Sequence, residues 1–160
     1  MTSLVVYYSL EGSTKLMAEN VASVLGADLL ELKPLKKQIG PKSFLKFFWG
    51  GRQVVLKKKP ILAPYDIDVE KYDLIVIGTP VWAFNYTPPI RTFLSQTIIK
   101  GKKVAVFCCH EGTPGKTLEN LEKELAGNTM IWKNDYVNVF KDMEGNARKA
   151  RDWALSLKNL

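Results

Sequence analysis

The sequence predicts an α/β protein built on a three-layer, doubly wound sheet of five parallel strands. Short apolar runs rich in β-branched and aromatic residues alternate with segments of helical periodicity. The runs are apolar without interruption, which is typical of strands buried on both faces of a parallel sheet. There is no internal repeat and no linker rich enough to divide domains. Residues 1–160 are therefore expected to form one domain.

The chain begins with a βαβ unit. Leu4–Tyr8 predicts the first strand, and Ser13 is expected to cap the helix that follows. Apolar residues recur on one face of this helix and Gly26 ends it; they are Leu16, Met17, Val21, Val24 and Leu25. Residues 29–32 predict the second strand. Such a unit implies a right-handed crossover and a parallel pair of strands.

Residues 34–65 interrupt this alternation with a basic and aromatic excursion. Prolines and glycines prevent long regular structure, and residues 44–49 read Phe-Leu-Lys-Phe-Phe-Trp among many lysines. Basic residues interleaved with aromatics also occur where proteins contact nucleic acid or membranes. We favour the interpretation that the aromatics pack onto the domain while the lysines remain in water. A surface for docking a partner is the next alternative.

The second half of the chain continues the alternation of strands and helices. The third strand is predicted at Tyr72–Gly78, and a helix with Pro88 or Pro89 in its first turn follows. The remaining predicted elements are a strand at residues 103–109, a helix at 118–125, a strand within 130–140 and a helix at 146–160. Sheets of this kind bind ligands beyond the carboxyl ends of their strands.

Composition limits the class of protein but does not identify a partner. The net charge of +7 and the pI near 9.4 suit nucleic acid, an anionic membrane or an acidic protein equally. No apolar run approaches the roughly 18 residues of a membrane span, and no signal peptide is recognised, so we expect a cytoplasmic protein. Adjacent Cys108 and Cys109 would point to opposite faces of a strand, and the single histidine makes a metal site unexpected.

The loop after the first strand is predicted to bind a phosphate. The hydroxyls of Ser9, Ser13 and Thr14 and the N–H groups from Glu11 through Gly12 to Thr14 converge before a helix N-terminus. The loop lacks both the P-loop lysine and the G-x-G-x-x-G pattern, which disfavours nucleoside triphosphates and dinucleotides. A monophosphate remains.

The loop after the third strand is predicted to hold a flat ring. Trp82, Phe84 and Tyr86 lie within five residues, and stacking on a conjugated ring contributes about 1 kcal/mol for each. Packing against the sheet end or the excursion stays open for Phe84 and Tyr86.

The loop after the fourth strand is predicted to approach the same ligand. Gly112 and Gly115 allow a close approach of the backbone, and His110 is expected at the edge of the cleft. No aspartate or nucleophile can be paired with His110 from sequence, so no catalytic residue is predicted. Together the three loops describe a site for flavin mononucleotide (FMN).

These loops resemble those of the flavodoxin family, and the resemblance covers nearly the whole chain. Ser9-x-x-Gly12-Ser13-Thr14 resembles the T/S-x-T-G-x-T phosphate loop. Residues 78–82 followed by 88–94 resemble the first flavin loop and its helix, and residues 110–115 occupy the place of the second. The resemblance implies the strand order 2-1-3-4-5 and non-covalent FMN, with its phosphate at residues 9–14 and its isoalloxazine between the later loops. The candidate cofactor-binding residues are Ser9, Glu11, Gly12, Ser13, Thr14, Thr79, Pro80, Val81, Trp82, Ala83, Phe84, Tyr86, His110, Glu111, Gly112 and Gly115.

The expected function is electron transfer between redox partner proteins, without nucleic acid or membrane insertion, by a monomer or weak dimer. An FMN-dependent NAD(P)H:quinone-type reductase is the alternative, and a regulatory module without flavin ranks below both. Two features depart from the family pattern. The chain is basic where the carriers are usually acidic, and Glu11 replaces a small or hydroxyl residue, so its carboxylate is expected to point to solvent.

Overall fold

A computed structural model describes residues 1–36 and 59–158 of the chain. Its sheet has five parallel strands in the order β2-β1-β3-β4-β5, which confirms the predicted fold class and strand order. The strands are β1 (Ser3–Tyr7), β2 (Asp28–Glu31), β3 (Leu74–Pro80), β4 (Lys103–His110) and β5 (Thr129–Val137). The helices are α1 (Ser13–Leu25), α2 (Pro88–Gln96), α3 (Thr117–Glu124) and α4 (Met143–Lys158), with 3-10 turns at Val69–Lys71 and Val139–Lys141.

Alternation along the strands divides the core into two layers. Val5 and Tyr7 face the side covered by α1 and α4, where Trp153 is also buried. Leu4 and Val6 face the opposite side, where residues of α2 and α3 pack against them. Both sets are almost fully buried because helices cover both faces of the sheet, and this explains the uninterrupted apolar runs.

Several element boundaries differ from those predicted. β2 begins and ends one residue earlier than predicted, and β3 extends through Thr79 and Pro80, which pair with Cys108 and Cys109 of β4. β5 ends at Val137 because Asn138 adopts a left-handed conformation with φ 48°. α4 begins at Met143, three residues before the predicted start.

The early start of α4 has a local cause. The side chain of Asp142 accepts a hydrogen bond from the N–H of Gly145 at 2.9 Å, and its carbonyl accepts one from the N–H of Asn146 at 3.0 Å. A carboxylate that caps the first turn stabilises a helix N-terminus at that point.

The centre of the predicted excursion, residues 37–58, lies outside the described residues. Its two described ends are joined, because Pro34 and Leu62 form an antiparallel bridge and Leu62 is buried. Within the described ranges, no helix has both the length and the apolar character required to cross a membrane.

Candidate functional site

The three predicted ligand loops meet at one edge of the sheet. β1, β3 and β4 are adjacent in the strand order, so the loops after their carboxyl ends are neighbours. The N–H of Val81 donates to the carbonyl of Cys109 at 2.9 Å, which joins the second loop to the end of β4. The topology therefore brings together residues that lie about a hundred positions apart in sequence.

The phosphate loop is shaped by Gly12. This residue is the N-cap of α1, with φ 101° and no side-chain cap, while Ser13, predicted as the cap, is the first helical residue. The N–H of Gly12 donates to the Ser9 hydroxyl at 3.1 Å. Because the cap residue has no side chain, it cannot itself cover the first-turn N–H groups of α1, and the positive end of the helix dipole lies at this loop.

Thr14 contributes a buried hydroxyl that lies beside the Cys109 thiol and makes no hydrogen bond to a nitrogen or oxygen atom. The residue is fully buried in the first turn of α1. An unsatisfied buried hydroxyl costs free energy that a bound oxygen-rich group can recover. This weakly bonded hydroxyl and the helix N-terminus without a side-chain cap fit the phosphate of a mononucleotide. Glu11 is exposed on the loop.

The aromatic loop is a tight two-residue turn. Trp82 and Asn85 exchange two backbone hydrogen bonds of 2.9 and 3.0 Å. Ala83 and Phe84 occupy the corner with φ of 47° and 61°. Left-handed conformation costs about 1 kcal/mol in a residue with a side chain, so the surrounding contacts must hold this corner in place.

The three aromatics of this loop take different positions. Trp82 is half-buried and packs edge-on against Tyr8, with ring centroids 5.8 Å apart and an interplanar angle of 86°. Phe84 is 65% exposed at the corner. Tyr86 is buried, and its hydroxyl donates to Glu124 of α3 at 2.8 Å. Trp82 and Phe84 thus remain at the edge of the sheet, whereas the ring of Tyr86 packs between helices.

The second and third loops are in direct contact. Gly115 has φ 54°, and a Cβ there would lie 2.5 Å from the Cβ of Phe84 and 2.7 Å from its carbonyl oxygen. The N–H of Lys116 donates to that carbonyl at 2.9 Å. Gly115 is therefore needed for the packing of one loop on the other. Glu111 and Gly112 are exposed, and no atom lies within 4 Å of a Cβ placed on Gly112.

His110 is the last residue of β4 and has an acidic neighbour. Its Nε2 lies 2.8 Å from Oδ2 of Asp135 on β5, and its Nδ1 is buried without a partner. Asp135 pairs with Cys108, two residues before His110, so both side chains lie on the same face of the sheet. The sequence did not identify this pair, because a register shift between Val104 and Ala105 sets the alignment of β4 with β5.

Phe140 is a second residue that sequence reasoning missed. It ends the range 130–140 within which the fifth strand is predicted, but it lies in the 3-10 turn at Val139–Lys141 and is 53% exposed. Its ring atom Cζ is 3.6 Å from where a Cβ on Gly12 would be. The exposed ring therefore borders the predicted phosphate loop. The one sequence feature that could indicate the change of chain direction is Asn138, since asparagine tolerates the left-handed conformation that it adopts here.

A doubly wound sheet with an anion loop, an aromatic turn and a close backbone loop at one edge defines a class of mononucleotide-binding α/β proteins. The family model described as Flavodoxin matches residues 2–139. The chain belongs to the flavodoxin family, which confirms the predicted resemblance.

Individual relatives agree with this assignment. A flavoprotein from Lactobacillus acidophilus, solved in complex with FMN, is 30% identical with a TM-score of 0.73, over 84% of this chain and 92% of that one. An uncharacterized protein of Archaeoglobus fulgidus is 26% identical over 91% of each chain. The flavodoxin of Megasphaera elsdenii shares the fold, with a TM-score of 0.56 and 20% identity over 96% of this chain and 98% of its own.

Proposed function

We propose that this protein binds FMN non-covalently at the carboxyl edge of its sheet and transfers electrons between protein partners. Family membership and the FMN bound to the Lactobacillus relative support the predicted cofactor. The observation that carries the proposal is the buried hydroxyl of Thr14, which has only the Cys109 thiol beside it, at a helix N-terminus without a side-chain cap. Bound FMN would supply the redox chemistry, accepting and releasing one or two electrons.

The residues of the chain would bind and orient the cofactor. The Ser9–Thr14 loop would hold the phosphate through N–H groups and hydroxyls, with Glu11 directed to solvent. Trp82 and Phe84 would contact the ring, and the backbone of residues 110–115 would border it from the side of β4. The buried Nδ1 of His110, at the end of β4, would exchange a hydrogen bond with a polar atom of the ring.

The partners of such a carrier would be acidic. The chain carries a net charge of +7, and opposite charges steer two proteins together before they dock. Electron transfer to an acidic partner should therefore slow as salt is raised, because salt screens this attraction. A rate independent of ionic strength would contradict an electrostatic docking mode.

FMN binding is tested by titrating the apoprotein with FMN and, separately, with riboflavin, and following flavin fluorescence. We expect FMN to bind at least about a hundredfold more tightly, because riboflavin lacks the phosphate and leaves the loop unsatisfied. Equal affinities would mean that the Ser9–Thr14 loop does not hold a phosphate. Absence of binding by either flavin would overturn the proposal.

Electron carriage is tested separately by adding NADPH to the FMN-loaded protein without air. A carrier that relies on a protein donor should keep its flavin absorbance for many minutes, and should lose it when a partner reductase is added. Rapid bleaching by NADPH alone would replace the carrier with the NAD(P)H-dependent reductase.

A further inference from the structure

A second polar cavity lies between α2 and α3, outside the site at the Ser9–Thr14 loop. It has a volume of about 420 Å³, and its walls include Arg91, Leu94 and Ser95 on one side and Asn120, Lys123 and Glu124 on the other. Lys59 and Asn85 line it as well. Asn85 also closes the turn that begins at Trp82, so one end of the cavity adjoins the aromatic loop. We name it the α2–α3 groove.

Arg91 is the feature that points to a ligand. The residue is only 9% exposed, and its Nη1 atom is buried with no hydrogen-bond partner. Its guanidinium carbon lies 4.9 Å from the centroid of the Tyr86 ring, which shields one face of the cation. The Tyr86 hydroxyl is a further partner of this guanidinium, but it carries no charge, so an anion that reaches Nη1 would add a charge-assisted hydrogen bond.

Glu124, the carboxylate that lines the groove, does not supply that anion. Glu124 accepts the hydrogen bond of the Tyr86 hydroxyl at 2.8 Å, and no ion pair joins it to Arg91 among residues 1–36 and 59–158. Lys59, Arg91 and Lys123 against the one carboxylate of Glu124 leave the groove with two positive charges in excess. That excess matches a dianion.

Uncharged hydrogen-bond donors in the groove also favour an anion. The amide of Asn120 donates to Oδ1 of Asn85 at 3.1 Å, and the same oxygen accepts the N–H of Tyr86 at 2.8 Å. With its oxygen engaged in this way, the group that Asn85 could offer to a ligand is its amide nitrogen, a donor. A guanidinium, two ammonium groups and an amide nitrogen form a donor set suited to a tetrahedral oxyanion.

We propose that the α2–α3 groove is a second anion site, which binds a phosphate group, either inorganic phosphate or the phosphate monoester of a small molecule. The ligand would bond to Arg91 at the base and to Lys123 at the rim. Because Asn85 belongs to both the groove and the Trp82–Asn85 turn, the ligand would also stabilise the strained corner at Ala83 and Phe84. The site does not depend on FMN.

Calorimetric titration of the protein, loaded with one equivalent of FMN, tests the proposal with inorganic phosphate, glycerol 3-phosphate and acetate at constant ionic strength. We expect saturable binding of at least one phosphate compound and none of acetate. The tighter of the two phosphate compounds identifies the source of the ligand. No saturable heat with either would overturn the proposal.

Variants locate the bound phosphate. Arg91→Gln should weaken binding at least about tenfold, since it removes a charge-assisted hydrogen bond. Lys123→Gln changes an exposed side chain without risk to the fold and should weaken binding about threefold. Lys149→Gln, an exposed change on α4 in the opposite layer, is the matched control and should have no effect.

The outcomes separate this site from the FMN site. Phosphate held at Gly12 would be displaced by FMN and would be insensitive to Lys123→Gln. Equal phosphate affinity in the wild type, Arg91→Gln and Lys123→Gln would therefore overturn the groove as a binding site, whatever the fate of FMN binding.

Discussion

Two glycines in the loop after β4 show how the same residue type serves different ends. Gly115 is in the left-handed region with φ 54° and touches the backbone of Phe84, whereas Gly112 is exposed in open space. The sequence predicted close approach to a ligand at both. In the structure, the close approach at Gly115 is to another loop of the same chain. Glycine spacing alone does not reveal which surface a backbone will meet.

Gly115→Ala should separate the two flavin loops. A Cβ would lie 2.5 Å from the Cβ of Phe84 at an unfavourable φ, so we expect unfolding free energy to fall by about 2 kcal/mol and FMN affinity to fall with it. Urea unfolding and FMN titration measure both. Gly112→Ala is the matched control and should change neither; an equal loss in both variants would contradict the loop contact.

Thr14→Val should separate binding from stability. The substitution removes a buried hydroxyl whose one polar neighbour is the weakly bonding Cys109 thiol, so the apoprotein should be as stable as the wild type or more stable by about 1 kcal/mol. FMN affinity should fall about tenfold, because the phosphate loses one donor. Ser3→Ala removes a buried, unpartnered hydroxyl at the opposite edge of the sheet, and FMN affinity should not change. Loss of apoprotein stability without loss of FMN affinity would make Thr14 a structural residue.

At the scale of elements, the strands were predicted well and their ends poorly. Apolar runs identify β1 and β3, because a strand buried on both faces needs apolar residues at successive positions. The ends depend on single conformations and single hydrogen bonds, such as the left-handed Asn138 after β5 and the Asp142 cap before α4. The spacing of apolar residues predicts neither of these two features.

In the proposed FMN site, binding of the flavin ring depends on the turn from Trp82 to Asn85. Trp82→Ala should weaken FMN binding about tenfold while the protein remains folded, because a half-buried ring at the edge of the sheet is lost. Trp132→Ala, on the edge strand β5, removes a ring that is 44% exposed and serves as the control. FMN affinities equal in the wild type and both variants would show that Trp82 does not contact the flavin.

At the scale of the whole molecule, the sequence predicted the topology and the edge at which ligand loops gather. It did not predict which side chains reach that edge. Tyr86 was expected to stack on the ring, but Glu124 lies 38 residues later and holds its hydroxyl between α2 and α3. The His110–Asp135 pair likewise depends on the register of β5. Such contacts depend on how the helices pack and how the strands align, and local sequence patterns do not predict either.

Buried phenols should make the protein sensitive to alkali. Burial, followed by the hydrogen bond to Glu124, raises the pKa of Tyr86 to about 12 against the opposing charge of Arg91, and burial raises the pKa of Tyr7 to about 12 as well. Above pH 10 the unfolded chain releases protons that the folded chain retains, so stability should be full below about pH 10 and fall between about pH 10 and 12.

Tyr86→Phe measures how much the Tyr86 phenol contributes to this loss of stability at high pH. Near pH 8 the variant should be less stable by about 1 kcal/mol, because the hydrogen bond to Glu124 is lost. That deficit should shrink from about pH 10 to 12, since phenylalanine does not titrate. Urea unfolding of the wild type and the variant, near pH 8 and again between about pH 10 and 12, measures how the deficit in stability changes. A deficit that stays constant would mean that the Tyr86 phenol titrates alike in the folded and unfolded chains.

The paired cysteines of β4 offer a way to observe how the molecule opens. Both thiols are free and buried, and burial raises the pKa of Cys109 to about 12, so neither should react with a thiol reagent while the sheet is closed. Cys109 faces the layer of α1 and α4, and its neighbour faces the other layer. Labelling rates of Cys108→Ala and Cys109→Ala therefore time the detachment of each helical layer from the same point of one strand.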